Sequence, residues 1–231
     1  MLLILFAEKQ ESESFLSHVE IINEYIFDNS FSSYQNILLC KYKNKKFYVA
    51  HMGVGKVNSS LFLSRLLNIK DFKISEILNI GASGGLKKTK VGEAFLVQKS
   101  YYYDVDLTCL KNYKLGQLPN NVIEFKTNDN LNLKFQKILN LELTNNVSAD
   151  KFFTISDAKN IEKNFNNIKT MDMEATALIH TADFYNMPIS IIKVISDNIT
   201  IEDNDKDYRN NTLIVSARIN DLLLNILERL N

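Results

Sequence analysis

The apolar positions of this chain follow two rhythms, one of strand period and one of helix period, and the changes between them mark out its elements. Leu2–Phe6 is an unbroken apolar run of strand length and reads as a buried first strand. Ile37–Tyr42 and Phe47–His51 read as a hairpin around Lys43-Asn-Lys-Lys, followed by a turn at Met52-Gly-Val-Gly. Over Lys56–Asn68 the spacing becomes helical, with Val57, Leu61, Phe62 and Leu66 assigned to one apolar face. Ile77–Ile80 is read as a strand that ends at Gly81-Ala82-Ser83-Gly84-Gly85. Ala94–Gln98 and Ile189–Ile195, rich in β-branched or aromatic residues, are predicted strands. Helices are predicted over Asn130–Leu139, Asp157–Phe165, Met173–Tyr185 and Tyr208–Leu230.

Strands alternating with helices predict an α/β class, with a central mixed, largely parallel sheet. No Pro-, Ser- or Gly-rich linker and no internal repeat interrupts the chain, so residues 1–231 are read as a single domain. Sheets of this kind bind ligands at the carboxyl ends of their strands. The residues just beyond each strand are therefore where chemistry is sought.

Composition removes several function classes. At 231 residues and 45% hydrophobic content the chain can bury a sizeable core. Lys+Arg 27 against Asp+Glu 27 gives no basic excess, so no nucleic-acid partner is expected. No apolar run reaches the roughly 18 residues of a membrane span, and no membrane partner is expected. The apolar opening Met1–Ala7 lacks a basic leader and meets Glu8 at once. It reads as a strand of a cytoplasmic protein and not as a signal peptide. Cys40 and Cys109 are too few for a disulfide framework or zinc site, and His18, His51 and His180 show no ligand spacing. Metal chemistry and a histidine-based triad are therefore not expected.

Three carboxylates draw attention. Glu11, with Glu8 and Glu13, follows the first strand, where acids also simply favour a helix start. Glu174, in Met171-Asp172-Met173-Glu174-Ala175, opens a predicted helix, for which the same plain reading holds. Asp197 stands with Ser196 at the mouth of an apolar strand, a harder position to dismiss, although aspartate also caps turns. Converging on one cleft, such groups suit glycosidic-bond cleavage: one protonates the leaving group and another activates water on the opposite face. Gly53-Val54-Gly55 and Gly81–Gly85 are read as strand-closing turns where backbone N–H groups can approach a ligand. Neither matches a nucleotide-phosphate motif. Lys56, alone after the first turn, reads as a solvated helix start.

Six segments then occur in order: Gly53-Val-Gly-Lys-Val, Asn79-Ile-Gly-Ala-Ser-Gly-Gly-Leu, Asp104-Val-Asp-Leu-Thr with Gly116-Gln-Leu-Pro, Ser148-Ala-Asp-Lys-Phe, Met173-Glu-Ala-Thr-Ala and Ile195-Ser-Asp. Together they resemble the 5′-methylthioadenosine/S-adenosylhomocysteine nucleosidases of the nucleoside phosphorylase superfamily, nearly end to end. The resemblance implies a three-layer α/β/α fold, a homodimer, no metal or cofactor, and hydrolysis of 5′-thioadenosines to adenine and a thioribose. By motif, it implies Glu11 as the water-activating base, Asp197 as the acid to adenine N7, Ser196 as the residue orienting it, and Glu174 as acceptor of the ribose hydroxyls. It sets Met173 against the sugar, Phe152 on the adenine face, Phe153 facing the base through its backbone, and Val54, Ala82 and Gly84 in the walls. The partner's loop near 107–119 would close the 5′ end, with Leu107, Leu110 and Tyr113 as candidates, and Tyr208 would supply an aromatic lid. The acid role requires Asp197 to stay protonated well above about 3.9, at about 1.4 kcal/mol per pH unit.

The chain departs from the family in three places. The family's Gly-Ser-Ala-Gly-Gly is here Gly81-Ala82-Ser83-Gly84-Gly85, which removes a hydroxyl from the second position. The usual Met-Glu-Glu before the base is Glu8-Lys9-Gln10, and the loop between Thr108 and Gly116 is one residue longer. Two rival functions remain weaker. A phosphorylase would need arginine forks for phosphate, and Arg65, Arg209, Arg218 and Arg229 all lie away from the glycine segments. A non-catalytic nucleoside binder has only the altered glycine run in its favour.

Overall fold

The computed structural model describes residues 1–26, 36–86, 88–200 and 204–230, apart from the side chains of 204–209. The elements run β1 (Leu2–Phe6), α1 (Lys9–Leu16), β2 (Glu20–Ile26), β3 (Asn36–Tyr42), β4 (Lys45–His51), α2 (Lys56–Leu67), β5 (Glu76–Gly85) and β6 (Ala94–Tyr102). They continue with β7 (Phe125–Lys126), α3 (Asp129–Leu139), β8 (Glu142–Ser148), α4 (Ile155–Asn164), β9 (Ile168–Asp172), α5 (Ala175–Phe184), β10 (Ile189–Asn198) and α6 (Asn204–Arg229).

Strand β1 shows why the molecule has three layers. Successive side chains of a strand point to opposite faces, and every residue of β1 is buried. Leu2, Ile4 and Phe6 pack with Phe15 of α1, Phe135 of α3 and the Val215–Leu230 stretch of α6. Leu3 and Leu5 pack on the other face with Phe62, Leu63 and Leu66 of α2 and Ala175–Ala182 of α5. Each such aliphatic side chain contributes roughly 1.5–3 kcal/mol on burial, so both helix layers are held by one strand.

The sheet is mixed. β1 pairs in parallel with β4 and β5, and β5 with β10. β6 is antiparallel to β10 and parallel to β8, which is parallel to β9. β9 returns antiparallel to the far end of β5. The strands β5, β10, β6, β8 and β9 thus close on themselves, and the ends of β1, β5, β9 and β10 converge at one rim.

Most predicted elements lie within a few residues of their expected limits. Two expectations need correction. The glycine run is not a turn: β5 continues through Gly85, paired with β10 up to Asn198. Its glycines serve close approach, because a Cβ on Gly81 would stand 2.5 Å from Oε1 of Glu11. The turn reading does hold at Gly53 and Gly55, whose φ values of 83 and 96 belong to the left-handed region. On α2 the buried face is Ser59, Phe62, Leu63 and Leu66, whereas Val57 and Leu61 are each 64% exposed.

Candidate active site

A cavity of about 270 Å³ opens at the rim where β1, β5, β9 and β10 end. Its walls include Glu11, Glu174 and Asp197, together with Val54, Ala82, Gly84, Phe152, Phe153, Met173 and Ser196. Each of the three carboxylates expected to converge is buried. Leu107, Leu110 and Tyr113 lie outside this wall of their own chain, and Leu110 is exposed. The side chain of Tyr208 lies outside the described residues.

Glu11 is the third residue of α1, in a capping box with Glu8. That local pattern folds its carboxylate back onto the end of β1, where Oε2 accepts the N–H groups of Ala7 at 2.9 Å and Glu8 at 3.0 Å. Oε1 accepts the N–H of Ala82 at 2.7 Å. A carboxylate offers about four acceptor positions, so the main chain takes three and leaves one on Oε1. Burial pushes the Glu11 pKa upward, against the lowering effect of the Glu8 and Ala82 N–H groups and of Lys193.

Glu174 stands at the N-cap of α5 and accepts the N–H of Gly55 at 2.9 Å. Burial and the nearby Asp172 carboxylate push its pKa up to about 8. Such a group is protonated in the folded protein and ionised in the unfolded chain between about 4.3 and 8. Its contribution to stability is therefore full below the unfolded value and is lost as pH rises through 8. The melting temperature of the ligand-free protein, compared with that of Glu174→Gln, should show this loss. The advantage of the unaltered chain should shrink from pH 5 and level off above about 8. Parallel curves for the two proteins would contradict the assignment.

Asp197 follows a register shift in β10, where Ile195 pairs with Ser83 and Asp197 with Gly84. Ser196 is passed over by the pairing, so the usual alternation of faces is interrupted there. Its Oγ donates to Oδ1 of Asp197 at 2.7 Å. Ser83, the displaced hydroxyl of the glycine run, is spent on β9: Oγ accepts the Met171 N–H at 2.9 Å and donates to the Met171 carbonyl at 2.9 Å.

Sequence reading missed the cation beneath these acids. Lys193 is 2% exposed, and its Nζ lies 2.6 Å from Oδ2 of Asp172. Asp172 also accepts from Ser148 Oγ at 2.5 Å, Asn146 Nδ2 at 2.9 Å and the Ala175 N–H at 2.9 Å. Burial alone would lower the lysine pKa, but Asp172, Glu174 and Glu11 outweigh it and raise it. The same pairing holds Asp172 below the usual carboxylate range despite its burial. The available signal was a lone lysine inside the apolar run Ile189–Ile195, since a buried lysine demands a partner. Lys56 also needs correction from a solvated helix start: its Nζ is 2.5 Å from Oδ1 of Asp104 and 3.7 Å from Oδ2 of Asp150. Asp150 in turn donates its N–H to Asp104 at 2.9 Å, so three loops beside the cavity are tied together.

Known proteins resemble this chain in sequence and in fold. The phosphorylase superfamily pattern matches residues 9–228. The 5′-methylthioadenosine/S-adenosylhomocysteine nucleosidase of Buchnera aphidicola subsp. Acyrthosiphon pisum (strain Tuc7) is 31% identical, over 98% of this chain and 97% of its own. The chain belongs to this nucleosidase family. An adenine-bound crystal structure of a Borrelia burgdorferi B31 protein assigned to the same nucleosidases superposes with a TM-score of 0.88. It shares 26% identity over 99% of both chains. Futalosine hydrolase of Helicobacter pylori shares the nucleosidase fold at a TM-score of 0.87 and 20% identity, covering 99% of this chain and 97% of that one. Within this superfamily the fold alone does not choose the nucleoside, and the site residues must.

Proposed function

We propose that the chain hydrolyses the N-glycosidic bond of 5′-methylthioadenosine and S-adenosylhomocysteine, and also of 5′-deoxyadenosine, releasing adenine and the (thio)ribose. The observation that carries this reading is the aim of Glu11: three backbone N–H groups fix its carboxylate and leave one acceptor position on Oε1 for a water. Asp197 donates its proton to adenine N7, so the base leaves neutral and not as a poor anionic leaving group. Ser196 orients Asp197 through the 2.7 Å bond. The ribose takes on oxocarbenium character, and Glu174 grips its hydroxyls; above its pKa of about 8, where it is ionised, it also favours that charge. Lys193 does not oppose it, because Asp172 at 2.6 Å balances the ammonium. Glu11 then removes a proton from the attacking water. Phe152, 44% exposed at the rim, offers a face for adenine.

Phosphorolysis on the same fold is disfavoured. Among the described side chains no arginine lines the cavity, and Glu11 there repels a phosphate dianion. Methylthioadenosine with purified protein should yield adenine at the same rate with and without phosphate. A strict phosphate requirement would overturn the hydrolase reading.

The chain acts as a cytoplasmic homodimer formed from one domain, with the loop near 107–119 of each copy closing the 5′ end of the other's cavity. Support comes from the position of Leu107, Leu110 and Tyr113 away from their own cavity. Further support is the exposed apolar group Val57, Leu61 and Phe184 on the packed helices α2 and α5. Among the described residues no helix is long and apolar enough to cross a membrane.

A further inference from the structure

Hydrolysis leaves the two acid–base residues in the wrong protonation states for another cycle. One proton has moved from Asp197 to N7 and leaves with adenine, and one has moved from water to Glu11. The protein has gained as many protons as it has lost, yet Glu11 now holds the proton that Asp197 needs. The reset is therefore an internal transfer from base to acid. This inference rests on the hydrolase reading above.

A second cavity, of about 10 Å³, lies beside the first, and its walls include Glu11, Ala82, Ser196, Thr212 and Val215. That volume suits a single water, given polar partners. Glu11 and Ser196 also line the main cavity, so this compartment touches the base and, through Ser196, the acid. The Ser196 hydroxyl already donates to Oδ1 of Asp197 at 2.7 Å, and both residues are at most 3% exposed. The register shift at Ser196 allows the arrangement, since strict alternation would send Ser196 and Asp197 to opposite faces. On Glu11, Oε1 with its single backbone bond is the oxygen that takes and returns a proton.

We propose that the second cavity holds a relay water that returns the proton from Glu11 to Asp197. Glu11 gives its O–H proton to this water, the water gives one of its own to Ser196 Oγ, and Ser196 gives its hydroxyl proton to Asp197 Oδ1. At the water and at Ser196 one O–H bond forms as another breaks. The carboxylate charge moves from Asp197 to Glu11, and the water and hydroxyl end as they began. No proton need enter from solvent, so the reset does not depend on the open mouth of the main cavity.

Thr212 belongs to the wall of the second cavity and not of the main one, so filling the former tests the relay. In Thr212→Leu, rapid-quench assays with methylthioadenosine should show a first turnover at the unaltered rate. Steady turnover should then be at least ~10-fold slower, a burst that separates chemistry from reset. Added imidazole, a small proton carrier, should restore the slow phase and leave the unaltered protein unaffected. Val215→Ile, one turn further along α6, fills the same cavity and should give the same burst if Thr212→Leu does not fold. Steady turnover at the unaltered rate in a folded variant would overturn the relay. A first turnover slowed by the same factor as the steady rate would also overturn it, making the wall a structural support only. Failure of the hydrolase reading would look different: the unaltered protein would release no adenine even in its first turnover.

Discussion

Asparagine in place of Asp197 is expected to lower adenine release by about 10²–10⁴-fold, the usual contribution of a positioned general acid. An asparagine amide still donates a hydrogen bond toward N7 but cannot transfer the proton, so nucleoside binding should change little. Glu11→Gln should cost a similar factor for a different reason. Its amide oxygen can serve the Ala7 and Glu8 N–H groups, but the NH₂ group then faces the Ala82 N–H donor. The water is left without an acceptor. Both variants should unfold close to the denaturant midpoint of the unaltered chain, and binding of a non-hydrolysable nucleoside should persist. Near-normal release in either variant would refute the roles given to these carboxylates.

Lys193→Met is expected to have the largest effect on stability. It leaves Asp172 buried and charged with its hydrogen bonds but no cation, and breaking a buried pair in this way costs about 3–5 kcal/mol. For a chain of this size that corresponds to a fall in melting temperature of roughly 6–20 °C. Adding Asp172→Asn to the same protein removes the orphaned charge and should recover most of the loss, because Ser148 Oγ and Asn146 Nδ2 still find an oxygen at that position. Urea unfolding of the single and double variants decides the matter. If Lys193→Met unfolds with the unaltered protein, or the second substitution restores nothing, the pair is not what holds this floor of the site together.

The sequence was most legible where one residue's chemistry suffices to place it. Leu2–Phe6 is apolar at every position and could only be a buried strand, and α3 and α5 lie within two residues of their expected limits. Strands β2, β8 and β9 were not foreseen. β2 is exposed throughout, and β8 reads Glu-Leu-Thr-Asn-Asn-Val-Ser. Their side chains lack the apolar run that signals a strand. In β8 the buried polar residues serve partners distant in sequence, Asn146 and Ser148 the Asp172 carboxylate and Thr144 and Asn145 the carbonyls of Asn167 and Asn166, and no local pattern reveals that. The glycine run shows the same limit: Gly81 looks like a turn in isolation, but its missing side chain makes room for Glu11, 70 residues earlier. At the site, Glu11, Glu174 and Asp197 were singled out from their places at strand and helix ends, and Glu174 and Asp197 also stand in ordered motifs. Lys193 and Asp172 were not, because their meaning lies in a contact between two strands.

The main-chain grip on Glu11 has an evolutionary consequence. Its three donors are peptide N–H groups of residues 7, 8 and 82, which every amino acid except proline supplies. The aim of the base is thus insulated from side-chain drift at positions 7 and 82, whereas Glu8 also closes the capping box with its side chain. Ala82, altered from the family's usual residue, could change without misdirecting Glu11. The same insulation leaves the side chain at position 82 available for remodelling the wall around a new nucleoside.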